Sequence, residues 1–362
     1  MTQWDDSQAA AVSENVTDES STSSANQLAD PDPFETEKET VFGRHWIYAG
    51  HANSIAEPGQ FFTRTVGDRQ LIVVRGHDGE VKAFDNVCAH RGSKMVEDTP
   101  MTDPGGGNRI QCPYHLWTYD LDGDLRSTPK SFEDASLNPD LENEDVQEFD
   151  CETNGLNDVH VDSVGPLLFV SLSDDPTALS EQAGVMTDRL ESLSLEGYEH
   201  GRRIVEEVEC NWKTVAGASL ERLRRGDRLA GLEPSDAALE TDDRHWLVRS
   251  TRDGDGLEAQ VHYLWPNLTV EVYDDADGYG TCLIDPIDDD RCQLIADYYV
   301  RDGDPDEEER ARIRTSRRRR AELIELAQRR RDEHEPSAQA RLESDETVGS
   351  LHQLVTGGDA DR

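Results

Sequence analysis

Cys88-Ala89-His90-Arg91-Gly92 and, after 21 intervening residues, Cys112-Pro113-Tyr114-His115 decide how this chain is read. A Cys-x-His and a Cys-x-x-His supply two thiolates and two neutral imidazoles from two loops. One arrangement that uses this set is a Cys₂His₂ zinc site. Zinc fingers, however, keep their cysteines and histidines as separate pairs along the chain. Here each loop mixes the two types, and both loops lie among predicted β-hairpins. That pattern favours a [2Fe–2S] centre of the Rieske type, with two thiolates on one iron and two imidazoles on the other. Imidazole carries less negative charge to iron than thiolate, so the potential rises above that of an all-cysteine cluster. The imidazoles also titrate, which couples reduction to protonation.

The strands around these loops are short. Phe61–Val66, Leu71–Arg75 and Val81–Phe84 read as strands, joined by a Gly67-Asp68 turn and by His77-Asp78-Gly79-Glu80. The β pattern runs on to Leu167–Leu172, and Asp174-Asp175-Pro176 marks a boundary. Upstream, residues 1–32 are polar and acidic with almost no large apolar side chains, and read as a disordered tail. A short helix is predicted from Pro33-Phe34 through Val41–Trp46. Downstream, Ile204–Cys210 reads as a strand and Trp212 to about Arg225 as a helix. Strands follow at 246–250, 259–265, 268–273, 281–286 and 292–301, then a long helix over about 306–332. Its acidic start (Glu307–Glu309) and basic later turns complement the helix dipole. The fold class is therefore α+β. The predicted organisation is a tail over 1–32, an all-β domain over 33–173 and an antiparallel-sheet domain over 174–362.

The surface chemistry is extreme. The 362 residues carry 77 Asp and Glu against 36 Lys and Arg, a formal charge of −41, and only five of the basic residues are lysine. Such charge repels itself in dilute buffer and is screened at molar salt. The composition suits a salt-filled cytoplasm, so a halophilic, cytoplasmic protein is expected. It argues against nucleic-acid binding. No run of 18 apolar residues exists, so no membrane span is expected, and the N-terminus lacks the pattern of a secretory signal. Cys151, Cys210, Cys282 and Cys292 stand singly and read as small buried hydrophobes.

The runs Val87–Ser93 and Cys112–Gly123 resemble the large (α) subunit of the Rieske non-haem iron ring-hydroxylating oxygenases. The resemblance extends through Trp46, Pro58-Gly59, Val74-Arg75, Asn211-Trp212-Lys213 and Trp265-Pro266-Asn267. The absence of an extra cysteine pair beside the loops makes the cytochrome-bc type a poorer match. Leu116 departs from the family's usual glycine. The resemblance implies a Rieske domain followed by a helix-grip (START-like) domain, with Cys88, His90, Cys112 and His115 holding the cluster. It further implies a mononuclear Fe(II) bound by two histidines and an aspartate, a ferredoxin or flavin reductase as electron donor, and a trimer-like homo- or hetero-oligomer packed head to tail.

Carried over residue by residue, the second iron site is altered. Asn211-Trp212-Lys213 sets the register, and Glu221 falls on the acidic position that links the iron to a neighbouring subunit's cluster. The two histidine positions hold Arg224 and Leu229, and Arg320 stands where the aspartate belongs. Arginine has no lone pair to give and stays charged; leucine has no donor atom. His160, His200, His245, His262, His334 and His352 are too scattered to form a pair on one helix face. Asp227, Glu233 and Asp236 offer only oxygen and read as solvated surface. The mononuclear iron is therefore expected to be absent. The run Arg317–Arg320 reads mainly as helix-surface ion pairs, with one or two arginines turned inward toward Glu221. Three functions compete: an electron-transferring α-like subunit without its own iron, an active oxygenase with relocated ligands, and an iron–sulfur redox sensor.

Overall fold

The computed structural model describes residues 33–128, 154–184, 186–192, 197–225, 239–241, 246–252, 258–273, 278–301 and 307–332. The predicted tail, Cys151, Asp227, Leu229, Glu233 and Asp236 lie outside them. Residues Pro33 onward gather into one compact unit.

The first half is β. Strands β1 (Trp46–His51), β2 (Gln60–Val66), β3 (Arg69–Arg75), β4 (Val81–Asp85), β5 (Gly105–Gly106), β9 (Asp158–Val164) and β10 (Leu167–Ser171) form a seven-stranded sheet in the order β1-β10-β9-β4-β3-β2-β5. A second, three-stranded sheet holds β6 (Ile110–Gln111), β7 (Thr118–Tyr119) and β8 (Leu125–Ser127). The β3–β4 hairpin closes on Gly79, whose φ of +87° lies in the left-handed region where a Cβ is unfavourable.

The chain enters through helix α1 (Pro33–Glu37) and a single π turn over Lys38–Phe42. The helix predicted to reach Trp46 ends there, at Phe42. Trp46 opens β1, and all six β1 residues are buried. A strand covered on both faces has no polar alternation to announce it.

Two short helices, α2 (Leu179–Ala183) and α3 (Met186–Ser192), lead to the second half. There β11 (Glu199–Val208), β12 (Leu239–Thr241), β13 (Trp246–Arg252), β14 (Glu258–Leu264), β15 (Leu268–Tyr273), β16 (Gly278–Pro286) and β17 (Cys292–Val300) form an antiparallel sheet in the order β11-β17-β16-β15-β14-β13-β12. Helices α4 (Trp212–Arg225) and α5 (Glu307–Asp332) pack on each other, as Arg222 shows by donating to the Arg319 carbonyl at 3.0 Å and to Glu322 at 3.1 Å. This is the expected α+β fold, with strands and helices close to their predicted bounds.

The two halves share one core. Trp46, Tyr48 and Phe62 from the first pack in the same apolar cluster as Trp212, Trp265 and Tyr299 from the second. Polar ties cross as well. Arg64 donates two hydrogen bonds to Asp285, at 3.0 and 2.6 Å, and Gln182 bridges Trp46 and Trp265. The Asn211-Trp212-Lys213 motif now has a structural role. The Asn211 side chain caps α4 by accepting from the Lys213 N–H at 2.9 Å. Trp212 Nε1 donates to the buried Glu37 at 2.8 Å, and Lys213 pairs with the same carboxylate. The motif thus locks the entry helix to α4. Among the described residues no helix is long and apolar enough to cross a membrane.

Candidate metal centre

The first ligand loop leaves β4 and is closed by backbone bonds around Cys88: Cys88 N–H to Ser93 O, and Gly92 N–H to Cys88 O, both 2.8 Å. The second spans β6 to β7, closed by Cys112 N–H to Trp117 O at 2.8 Å and Leu116 N–H to Cys112 O at 3.1 Å. Leu116 carries a φ of +58°, the one non-glycine residue with positive φ among the described residues. That conformation is strained for a side chain with a Cβ, and it occurs where the loop turns immediately after His115.

The two loops bring like with like. Cys88 and Cys112 are buried, 2% and 1% exposed, in an apolar cluster with Phe84, Met95, Trp117, Tyr119 and Leu125. The His90 and His115 rings meet edge to face, with centroids 4.7 Å apart. His90 is also stacked on Trp117, at 4.6 Å and 13°. A thiolate pair and an imidazole pair fit a two-iron cluster.

Individual atoms agree with that assignment. His90 Nδ1 is buried with no hydrogen-bond partner in the protein, as fits a nitrogen that serves as a metal ligand. Tyr119 Oη lies 3.4 Å from Cys88 Sγ. Burial pushes the Cys88 thiol above its ordinary value and, together with His115 and Arg91, pulls His90 below its own. Iron would keep both ready as ligands, deprotonating the thiol and using the neutral imidazole. Cys88 and Cys112 would hold one iron, His90 and His115 the other.

The positions carried over for the second iron are placed as follows. Glu221 is half-buried on α4, and Arg224 lies on the last turn of the same helix. Arg320 is on α5, 4% exposed. It donates to Glu206 at 3.1 Å, to Ser316 at 3.3 Å and to Tyr298, while neighbouring Arg319 donates to Glu271 at 2.9 Å. The inward-turned arginines thus find Glu271 and Glu206 as partners, and Arg317 and Arg318 are exposed. Burial alone would lower the Arg320 pKa; Tyr298, Cys282 and Glu206 more than offset it, so the guanidinium stays charged.

Sequence reasoning missed a polar junction between the halves. Asp297 on β17 is buried and bonded by His200 at 2.9 Å and by Arg203 at 2.7 and 2.8 Å. His51 on β1 stacks on Tyr299 at 4.2 Å. Its Nδ1 accepts from the Asn53 N–H, so its Nε2 carries the proton toward Tyr279 Oη, 2.5 Å away. Burial, then the neighbouring His200, lowers the His51 pKa to about 3. These residues are far apart in sequence and carry no local motif.

Known proteins agree with the geometry. Residues 45–143 match the Rieske [2Fe–2S] domain family. The oxygenase subunit of carnitine monooxygenase from Acinetobacter baumannii is 28% identical over 221 residues, covering 60% of this chain and 55% of that protein. The oxygenase subunit of glycine betaine monooxygenase from Chromohalobacter salexigens is 32% identical over 186 residues, covering 51% of this chain and 38% of that protein. The matched segment thus spans about half the length of these relatives, or less. Among solved structures, the quaternary ammonium Rieske monooxygenase CntA with L-carnitine superposes with a TM-score of 0.68 at 24% identity, over 81% of this chain and 80% of that one. Naphthalene 1,2-dioxygenase from Rhodococcus gives 0.61 at 20% identity, over 78% and 74%. With its thiolate and imidazole pairs assembled on a Rieske [2Fe–2S] domain, the chain is related in sequence to the oxygenase subunits of carnitine and glycine betaine monooxygenases and shares the fold of the Rieske oxygenases.

Proposed function

We propose that this protein accepts and passes single electrons through its cluster and does so without a mononuclear iron of its own. Residues 33–173 act as the Rieske domain and 174–362 as the α-subunit-like domain. When bound, the cluster supplies one-electron chemistry at a potential raised by its imidazole ligands. The chain's residues do the rest. The Trp117 ring holds the His90 plane, Tyr119 is placed to donate to Cys88, and the apolar cluster around the cysteines keeps water from the thiolate side.

The observation that carries the reading is Arg320. On the helix where the family holds its carboxylate ligand stands a buried guanidinium, already bonded to Glu206, Tyr298 and Ser316. It cannot donate a lone pair, and its charge opposes Fe²⁺. These residues do not fit a mononuclear iron. A ferredoxin or flavin reductase would supply the electron. In a head-to-tail oligomer, an intact α subunit next to this one would receive it, with Glu221 on the path.

A second reading is favoured by the relatives, whose names are those of carnitine, glycine betaine and choline monooxygenase subunits. In it the chain is an active oxygenase on a quaternary ammonium compound with relocated iron ligands. Metal analysis separates the two. Two irons and two sulfides per chain, with no O₂ uptake on carnitine, glycine betaine or choline, support the first. Three irons per chain and substrate-dependent O₂ uptake would overturn it.

A further inference from the structure

An edge strand presents a row of unpaired N–H and C=O groups, and proteins blunt such edges by keeping them short or covering them. Most sheet edges here follow that rule. Among the described residues β5, β6, β8 and β12 are two or three residues long, and all six residues of β1 are buried. β11 does not follow it. It ends the second sheet, pairs with β17 alone and runs for ten residues. Its two flanks are tied down: Asn53 donates to the Tyr198 carbonyl at 2.7 Å, and Arg331 donates to the Glu209 carbonyl. Between them, over 199–207, the backbone bonds only to β17 among the described residues.

The open stretch has a particular order of charge, Arg202-Arg203-Ile204-Val205-Glu206-Glu207. Side chains alternate across a strand, so Arg203, Val205 and Glu207 share one face. Ile204 and Glu206 lie on the other, toward α5, where Glu206 accepts from Arg320 at 3.1 Å. On the first face Val205 is 52% exposed. Arg203 gives Nε and Nη2 to Asp297, and its Nη1 has no bond among the described residues. Glu207 meets Arg291 at 3.1 Å in a well-exposed pair.

We propose that β11 pairs antiparallel with β11 of a second copy, about a two-fold axis at Val205, so that two seven-stranded sheets become one. In this register Val205 stands opposite Val205 of the second copy, and Arg203 and Glu207 stand opposite that copy's Glu207 and Arg203. Two ion pairs thus flank an apolar centre, each a favourable cross-strand pair. Other pairings lose this match. A parallel strand would set arginine against arginine and glutamate against glutamate. A register centred on Ile204 would put Val205 opposite Arg203. Charges that only protected the edge would have no need of opposite signs placed evenly about an exposed valine. A single strand pair buries less than the ~800 Å² per partner of a stable interface, so the dimer is reversible. The contact is isologous, whereas head-to-tail packing is heterologous; the two use different surfaces and can coexist. Nothing in the argument depends on the cluster or on the second iron.

The test is sedimentation velocity of the holoprotein over a concentration series in molar KCl, which screens the repulsion between two acidic copies. The parent should double in mass as concentration rises. Val205→Lys sets like charges face to face at the axis and changes a side chain outside the core. It should weaken the doubling roughly tenfold or more, with the circular dichroism spectrum unchanged. A second measurement fixes the register. Opposed residues of an antiparallel pair have Cα atoms roughly 4.5–5.5 Å apart, within disulfide reach. Val205→Cys should therefore cross-link two copies under mild oxidation. Glu207→Cys, on the same face, lies about 13 Å from its counterpart and should not. The proposal is overturned if the parent does not double, if Val205→Lys doubles equally well, or if Glu207→Cys cross-links as readily as Val205→Cys. If Val205→Lys proves misfolded, the two cysteine variants decide alone.

Discussion

Tyr119→Phe should lower the reduction potential of the cluster without dismantling it. Tyr119 Oη lies 3.4 Å from Cys88 Sγ, and the residue is fully buried. Once iron has deprotonated the thiol, only the tyrosine hydroxyl can donate in this pair. A hydrogen bond to a charged acceptor is worth about 1.5–3 kcal/mol. The reduced cluster carries one more negative charge, so it gains more from the bond than the oxidised cluster does. If the difference is about half of the whole, the bond favours reduction by about 1 kcal/mol, or roughly 45 mV for one electron. Phenylalanine keeps the ring in the apolar cluster with Trp117 and Leu125, so packing changes little. Protein-film voltammetry on parent and variant measures the shift, with the EPR signal as the check that the cluster is present. A potential within roughly 10 mV of the parent, or a rise, would refute the argument that this hydroxyl stabilises the reduced state.

Three other outcomes follow from the structure. His51, with its pKa lowered to about 3, stays neutral when folded while the unfolded chain takes up a proton below its ordinary value of about 6.5. The unfolded state then binds more protons, so stability is full above pH 6.5 and falls as the pH drops toward 3. At pH 5 the loss is about 2 kcal/mol; urea unfolding at pH 5 and 7.5 should show it, and a His51→Gln variant with the same pH slope would refute it. Arg64→Ala leaves Asp285 buried without its cation, at 16% side-chain exposure, and should cost about 3 kcal/mol. The Arg64→Met, Asp285→Leu double variant should recover most of this in chemical denaturation, and additive losses would count against the pair. With a formal charge of −41, the thermal midpoint should climb between dilute buffer and molar KCl as the Debye length contracts to roughly 3 Å; a flat profile would exclude self-repulsion as a major term.

The sequence by itself pointed to the four candidate cluster ligands, because thiolate and imidazole are rare and their spacing along two loops is chemistry that needs no fold to be read. It also determined most of the second sheet and both long helices, whose apolar runs and caps are local features: α4 begins at Trp212 because Asn211 caps it. The strand β1 was hidden, since burial on both faces removes the alternation that marks a strand. The tertiary structure brought the two loops together as that chemistry requires, setting Cys88 and Cys112 in one apolar cluster and His90 against His115. It alone placed Arg320 against Glu206 and Tyr298, and His51 under Tyr299, across 114, 22 and 248 residues respectively. Such contacts are set by how two sheets and two helices share a core. Their energies depend on burial and on charges brought within a few ångströms, quantities that no spacing along the chain encodes.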